Sequence, residues 1–169
     1  ISNEAFSGCT SLTIVTIPDN IESIGDSAFR GCTSLVAVIL GKSVNSIGGS
    51  AFEGCRSLSE IYNMSSLDLV KGSSGNGYVA YYAENIYDFE SNDIVFSCGE
   101  FVFMKRDGWY HLFRYVGDDT EVTLPSYVEY EFHKIELYFI YDHAFYMNTK
   151  ITSVTIPRIV SSIGEYAFY

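Results

Sequence analysis

The sequence is poor in positive charge. Ten Lys and Arg stand against 21 Asp and Glu among its 169 residues, and the formal net charge is −11. An acidic surface repels the phosphate backbone of nucleic acids, so we expect no nucleic-acid partner. Anionic membrane surfaces are disfavoured for the same reason. No apolar run approaches the roughly 20 residues that span a bilayer, so we expect no membrane insertion by this segment.

Long helices are also disfavoured, because runs rich in Ala, Glu and Lys are missing. Tyr and Phe are abundant instead, at 14 and 12 residues, and they favour strands. Trp occurs once and Pro three times. With 47% hydrophobic and 18% charged residues, the chain has the composition of a globular protein that buries a core.

Motifs of catalysis and of metal or cofactor binding are missing too. The sequence has no GxSxG, P-loop or dinucleotide fingerprint and no CxxC pair. His111, His133 and His143 share no metal or triad spacing. Acidic stretches at 90–93 and 118–119 lack EF-hand spacing, and we expect solvated turns there rather than calcium loops. We therefore predict no catalytic residue, no metal site, no cofactor and no enzymatic activity.

The sequence does contain a strict repeat of 23 residues, the kind of period that marks stacked repeat architectures. The phrase around Ala-Phe, as in SAFRGCTSL at 27–35, recurs three times, stops, and resumes near the end. The chain begins and ends in the same phase of this repeat, and no signal peptide is visible, so we expect a piece of a longer repeat protein. The recurring positions are Ala5-Phe6, Ala28-Phe29, Ala51-Phe52, Ala144-Phe145 and Ala167-Phe168, with Cys9, Cys32 and Cys55, and with Leu12, Leu35 and Leu58.

Each repeat has a simple physical interpretation. Leu12, Val15 and Ile17 place apolar side chains on one side of a short strand. Pro18 ends that strand because it cannot donate to a ladder. A second short extended segment follows near Ile24. One unit cannot bury its own apolar face, whereas stacked units share a continuous core with their strands in a parallel sheet. The repeat therefore predicts a β-dominated solenoid.

The phrase CTSLTIVTIPDNIESIGDSAFRG, at 9–31, resembles the BspA-like (Treponema-type) leucine-rich repeat. The Cys, Leu, Ile-Pro, Ile-Gly and Ala-Phe of this phrase occur at the spacing typical of that family. The resemblance covers residues 1–61 and about 142–169 well, and residues 118–141 loosely. It implies a leucine-rich-repeat solenoid with a parallel sheet on its concave face and short strands and turns on its convex side. It also implies surface display and adhesion or ligand binding without catalysis.

An interruption separates the third and fourth copies. KGSSGNG, at 71–77, is typical of a loop. YVAYYAENIY, at 78–87, has aromatic residues at helical spacing, which predicts one short amphipathic helix in the place of Ala-Phe. Asp107-Gly108 between two apolar runs predicts a β-hairpin with strands over 100–105 and 109–116. A third strand is expected over 94–97, with a turn at Cys98.

We predict one solenoid domain over 1–169. Within it, residues 1–61 are regular repeats, residues 62–117 are a modified repeat with the helix and hairpin, and residues 118–169 are two further repeats. The first of these two is lengthened by nine residues around 129–137, where we expect a further strand on the convex side.

The three in-phase cysteines predict buried, reduced thiols that act as small apolar fillers. Stacked positions project in parallel, which suits disulfide geometry poorly, and no CxxC pair or His partner is near to complete a metal site. Asn148 takes the cysteine position in the last copy, where its side chain is expected to cap backbone groups of the neighbouring coil. Cys98 lies outside the repeat pattern at a predicted turn, and we expect it to be more exposed.

Two candidate binding surfaces follow. On the sheet face, residues that alternate with the core set form a flat stripe with few charges, and solenoids bind ligands on such concave faces. The hairpin offers an interaction patch if one of its apolar faces stays exposed. The stripe comprises Ile14, Thr16, Ala37, Ile39, Glu60, Tyr62, Thr123, Ser153 and Thr155. The hairpin set comprises Phe101, Phe103, Trp109, Tyr110 and Phe113.

The resemblance, together with these surfaces, implies a non-catalytic binding or adhesion module at the cell surface, outside the cell. A protein ligand, from a host or from another surface protein, is the expected partner. Two alternatives stay open. One is a carbohydrate-binding module of a larger surface enzyme, in which aromatics such as Trp109 stack on sugars. The other is a structural spacer that holds neighbouring domains away from the cell.

Overall fold

The computed structural model describes residues 1–90, 92–106, 108–137 and 139–169. The chain divides into two compact units, Ile1–Ser91 and Asn92–Tyr169, and each is described by itself. Strands and turns account for nearly all of the regular structure, with a single short 3₁₀ helix in the part that the structure describes. No helix within those residues has the length and apolar character needed to cross a membrane.

The first unit is a stack of coils joined by a four-stranded parallel sheet. Its strands are β1 (Ile14–Ile17), β3 (Ala37–Leu40), β5 (Glu60–Asn63) and β6 (Asn85–Asp88), in that spatial order. Two further short strands, β2 (Ser23–Ile24) and β4 (Ser46–Ile47), form a second parallel pair.

The register of the sheet follows the period of the repeat. Ile14 pairs with Ala37, and Ala37 pairs with Glu60, so each coil advances by 23 residues. Glu60 then pairs with Asn85, an advance of 25 residues. The coil that loses the Ala-Phe phrase is therefore only two residues longer than the others, and the stack continues through it.

Repeat positions fill the interior of the first unit. Phe6, Phe29 and Phe52 form a column of stacked rings with centroids 5.1 Å apart at both steps. Phe29 and Phe52 are buried, together with Cys32, Cys55 and the aliphatic side chains of β1 to β5 that face inward. Stacking thus joins the apolar faces of successive coils into one core, as the repeat predicts.

The predicted helix at 78–87 is wrong. The structure has a 3₁₀ helix only at Asn76–Tyr78, and β6 occupies the second half of the predicted segment. The N–H of Phe52 donates to the carbonyl oxygen of Gly77 at 2.7 Å, just as that of Phe29 donates to Ala51 at 2.8 Å. Gly77 therefore takes the place of the repeat alanine. Pairing with β5 supplies backbone hydrogen bonds that an isolated helix of this length would not outweigh.

The second unit contains a five-stranded sheet of mixed direction. Its antiparallel part is β7 (Ile94–Cys98), β8 (Phe101–Arg106) and β9 (Trp109–Tyr115). The predicted hairpin and third strand are confirmed, with a bulge between Val102 and Phe103. Asp107 of the expected turn lies outside the described residues, whereas Gly108 has a φ of +83°.

Coils of the repeat resume beside this hairpin. β13 (Phe139–Ile140) pairs in parallel with both β9 and β15 (Ser162–Ile163). β10 (Glu121–Thr123) pairs in parallel with β14 (Ser153–Thr155). Glu121 pairs with Ser153, an advance of 32 residues, which is the 23-residue period plus the nine predicted extra residues.

The nine extra residues form part of a hairpin rather than one further strand. β11 (Tyr127–Tyr130) and β12 (His133–Glu136) pair antiparallel around a two-residue turn. Val128 and Ile135 are buried in the core of the second unit, which anchors the hairpin at its base. Apart from the helix, the predicted β-solenoid is confirmed: parallel coils with nearly no helical structure build the molecule.

Candidate functional site

In the first unit, the predicted stripe is only partly open. Thr16 is exposed and Ile14 is half-buried, on the outermost strand of the sheet. The expectation that the central residues face solvent is wrong, because Ala37, Ile39, Glu60 and Tyr62 are all buried.

Side chains from the next strand account for part of this burial. The ring of Tyr62 stacks on that of Tyr87 at 5.3 Å and lies 6.4 Å from that of Phe89. The Nδ2 of Asn85 donates to Glu60 Oε1 at 3.1 Å. Tyr87 and Asn85 belong to the segment in which a helix was predicted, and Phe89 follows it closely, so the spacing of the repeat gave no sign of these contacts.

In the second unit, the stripe residues are exposed. Thr123 and Thr155 are register partners on β10 and β14, and Ser153 lies on the same strand as Thr155. The three side chains form a small hydroxyl-bearing surface. Its role in binding stays a prediction.

Most of the predicted hairpin set belongs to the core. Phe103 is 1% exposed, and Phe101 and Tyr110 pack on the same apolar cluster. Phe113 is half-buried and stacks on Tyr141 at 5.2 Å. Val102 and Met104, which alternate with Phe103 along β8, are also fully buried, so β8 is covered on both faces. Trp109 alone among the set is exposed, at 51%.

Trp109 borders a cleft of about 420 Å³ within the second unit. The start of β9 forms one wall and β12 forms the other, with His133, Lys134 and Glu136 among the lining residues. The indole and the ring of Phe139 form a T-shaped pair, with centroids 6.0 Å apart and ring planes at 90°. The cleft thus combines a flat aromatic surface with polar side chains.

The tip of the β11–β12 hairpin carries the most exposed aromatic side chain among the described residues. Phe132 is fully exposed at the two-residue turn, where Glu131 and Phe132 have φ values of +47° and +65°. Such turns favour Asn-Gly, because both central residues need positive φ. Glu-Phe carries no turn signal, so this turn was not predicted from the sequence.

The buried thiols also act as hydrogen-bond donors. Cys32 Sγ donates to Phe6 O, and Cys55 Sγ donates to Phe29 O, both at 3.1 Å and across neighbouring coils. Burial raises the pKa of Cys32 and raises that of Cys55 to about 12. The prediction of a buried thiol is wrong for Cys9, which is exposed because, among the described residues, no coil lies on its outer side.

The other predictions at the turn positions are confirmed. Asn148 Nδ2 donates to the carbonyl oxygen of Gly117 at 3.2 Å, in the place where cysteine caps other coils. Cys98 is exposed. Asp118 is exposed and pairs with Lys150 at 2.9 Å, and this hydrogen bond lowers the pKa of the carboxyl group.

Asp93 departs from the solvated turn expected at 90–93. Its side chain is buried and accepts two hydrogen bonds from Arg106, at 3.1 Å and 2.6 Å. The carboxylate raises the pKa of the guanidinium group above its usual range. This ion pair joins the ends of β7 and β8. Within the described ranges, no group of three His, Cys, Asp or Glu side chains is arranged to hold a metal ion.

The chain was compared with known proteins. Solved structures with similarity include a leucine-rich cell surface protein of Faecalibacterium prausnitzii (20% identity, TM-score 0.38) and a leucine-rich repeat protein of Eubacterium ventriosum (19%, 0.37). A third is the leucine-rich repeat protein of T. pallidum (21%, 0.40). They cover 99%, 93% and 97% of this chain, which spans 61%, 51% and 65% of theirs.

The search of curated proteins found no match to the chain. The family model described as "BspA type Leucine rich repeat region" matches residues 1–107 and 113–169 in six copies. These ranges include nearly every residue, so the match extends through the interruption that lacks the Ala-Phe phrase. The chain belongs to the BspA-type leucine-rich repeat family.

Proposed function

We propose that this chain is a non-catalytic module that binds a protein ligand outside the cell. Membership of a repeat family that forms extended interaction surfaces supports a binding role. The single observation that carries the proposal is the conformation of Phe132 at the tip of the β11–β12 hairpin. The ligand we propose is a protein with an apolar pocket that accepts this ring.

The side chain and the backbone of Phe132 are both unfavourable for the stability of the folded chain. Burying a phenyl group contributes about 1.5–3 kcal/mol to folding, and this fully exposed ring gains none of it. Its positive φ adds backbone strain of about 1–2 kcal/mol in a residue that is not glycine. A partner that buries the ring would recover the first contribution, and aromatic anchors of this kind dominate many interfaces.

The surroundings of the tip favour a partner with a basic rim. Glu129 and Glu131 are exposed beside Phe132, and the whole chain carries a net charge of −11. The ammonium group of Lys134 lies 3.7 Å from the centre of the Tyr127 ring, so this cation is held at the base of the hairpin. Opposite charge on the partner would accelerate association and make it sensitive to salt.

The test is an array of purified secreted and cell-surface proteins, probed at low and physiological salt. The wild-type chain is compared with Phe132→Ser and with the matched control Tyr81→Ser, since Tyr81 is an exposed aromatic residue of the first unit. We expect at least one protein to bind, with affinity reduced about tenfold or more by Phe132→Ser and unchanged by Tyr81→Ser.

Two outcomes would contradict the proposal. If Phe132→Ser binds as well as the wild-type chain, the hairpin tip is not the anchor. If no protein binds the wild-type chain, the spacer role is favoured instead. The mutation itself should leave the folded state intact, because a fully exposed side chain contributes little to stability.

A further inference from the structure

We propose that the cleft between the start of β9 and strand β12 binds a neutral oligosaccharide, with Trp109 as its stacking surface. The cleft lies within the second unit and is distinct from the hairpin tip that carries the proposed protein contact. This inference goes beyond protein binding and does not depend on it.

The indole of Trp109 is exposed and yet held in place. Its T-shaped contact with Phe139 sets the angle of the ring, and Phe139 itself stacks on His111 at 5.0 Å. Phe139 and His111 are also register partners in the parallel pair of β13 and β9. Because the backbone ladder and the ring contacts fix the orientation before a ligand arrives, binding would lose little conformational entropy.

An exposed indole face matches the chemistry of a sugar ring. The face of an aromatic ring is electron-rich, whereas one face of a pyranose presents C–H groups with partial positive charge. Trp109 is 51% exposed, which leaves surface for such a contact at the border of the cleft. The volume of about 420 Å³ lies within the roughly 300–1,000 Å³ of small-ligand sites.

Polar groups on the opposite wall suit sugar hydroxyls. His133 Nδ1 lies 2.8 Å from the carbonyl oxygen of Glu131. A carbonyl oxygen only accepts, so Nδ1 carries the proton and Nε2 of the neutral ring is an acceptor for a hydroxyl donor. Glu136 lines the same wall, and a carboxylate oxygen is a hydrogen-bond acceptor. Two acceptors beside an aromatic surface suit a ligand with many hydroxyl groups.

Charge favours neutral over acidic sugars. Lys134 and Glu136 both line the cleft, so one charge of each sign lies at its wall, and the ammonium group of Lys134 packs over the Tyr127 ring. The net charge of −11 adds long-range repulsion of anions. Uronic acids and sulfated sugars would therefore bind less well than neutral ones.

The experiment uses the only tryptophan in the chain as its reporter. Soluble hexasaccharides of β-1,4-linked glucose, xylose, mannose and N-acetylglucosamine are titrated separately against the chain. We expect at least one of them to shift the emission of Trp109 saturably and to protect it from acrylamide quenching. Calorimetry of the same sugar gives the affinity independently of the indole.

Variants then locate the site. Trp109→Ala should weaken binding about tenfold or more by calorimetry, and Trp109→Phe should retain part of the affinity. His133→Ala and Glu136→Gln should each weaken binding while Trp109 still reports it. Tyr81→Ser is the control, and it should bind the sugar as the wild-type chain does.

The proposal is overturned if none of the four sugars changes the emission, or if Trp109→Ala binds within about twofold of the wild-type chain. The two proposals can fail separately. Phe132→Ser tests protein binding at a side chain that does not line the cleft, and Trp109→Ala tests sugar binding at a side chain outside the hairpin tip.

Discussion

The thiol of Cys55 donates to the carbonyl oxygen of Phe29, 26 residues earlier, at 3.1 Å. Cys32 makes the same contact with Phe6 at the same separation and distance. The recurring cysteine therefore does more than fill space, since it satisfies a carbonyl group of the preceding coil. Asn148, at the cysteine position of a later copy, likewise donates to a carbonyl oxygen outside its own coil, that of Gly117.

Alkaline pH should lower the free energy of unfolding, because the thiol of Cys55 ionises more readily in the unfolded chain. Its folded-state pKa is about 12, whereas an unfolded cysteine ionises near pH 8.5. Between these values the unfolded chain releases a proton that the folded chain retains, so the free energy of unfolding falls as pH rises. Urea unfolding between pH 8 and 11 should show that the free energy of unfolding falls less for Cys55→Ala than for the wild-type chain. For Cys98→Ala, at an exposed site, the free energy of unfolding should fall with pH as it does for the wild-type chain. An equal fall with pH in the wild-type chain and both variants would contradict the prediction.

Gly77→Ala should destabilise the first unit strongly. Gly77 has a φ of +60°, and an added Cβ would lie 2.4 Å from the carbonyl oxygen of Gly48 and 2.8 Å from Ala51 Cβ. Gly72 also has positive φ, at +74°, but an added Cβ there meets open space. We expect Gly72→Ala to lower the free energy of unfolding by about 1 kcal/mol and Gly77→Ala by at least about 2 kcal/mol more, measured by chemical denaturation. Similar losses in the two variants would show that the turn does not stack on the coil before it.

Phe52→Ala should remove the end of the aromatic column in the first unit. Phe52 is fully buried and stacks on Phe29, so its truncation should lower the free energy of unfolding by about 3–5 kcal/mol. Phe168 makes a similar stacked contact with Phe145 but is 46% exposed. Phe168→Ala should therefore lower the free energy of unfolding by clearly less than Phe52→Ala does. Circular dichroism during urea unfolding gives both values. A smaller loss for Phe52→Ala than for Phe168→Ala would be inconsistent with the described core.

The ion pair of Asp93 and Arg106 should couple two strand ends. Asp93 is buried, whereas the Arg106 side chain is 38% exposed, so solvent screens part of the attraction. In a double-mutant cycle of Asp93→Asn and Arg106→Gln, we expect a coupling energy of about 1–3 kcal/mol. Thermal or chemical unfolding supplies the four stabilities. Strict additivity of the two mutations would mean that the pair contributes nothing to stability.

Much of the fold follows from one repeat. Because Ala28 and Ala51 hold the same phase, the period alone predicts that Ile14 pairs with Ala37 and that Ala37 pairs with Glu60. The strands of the central hairpin were predictable for a different reason, since the Asp-Gly signal acts over a few residues. Local and periodic signals of this kind need no knowledge of tertiary contacts.

The failures share a physical cause. β6 was hidden because its coil is two residues longer, and because pairing with β5 overrides the helical spacing of its aromatic residues. Tyr62 lies on the predicted open face, but its burial depends on contacts with Tyr87 and Phe89 that no repeat position encodes. The turn at Phe132 was missed since Glu-Phe carries no turn signal, although both residues have positive φ.

The stacked core of the first unit is the central structural claim, and the cysteines test it most directly. The native chain is labelled with iodoacetamide at pH 8, and the modified cysteines are identified by peptide mass spectrometry. Cys9 and Cys98 are exposed and should be labelled, whereas Cys32 and Cys55 should stay unmodified until the chain is unfolded in guanidinium chloride. Labelling of Cys32 or Cys55 in the native chain as fast as that of Cys9 would contradict the stacked core.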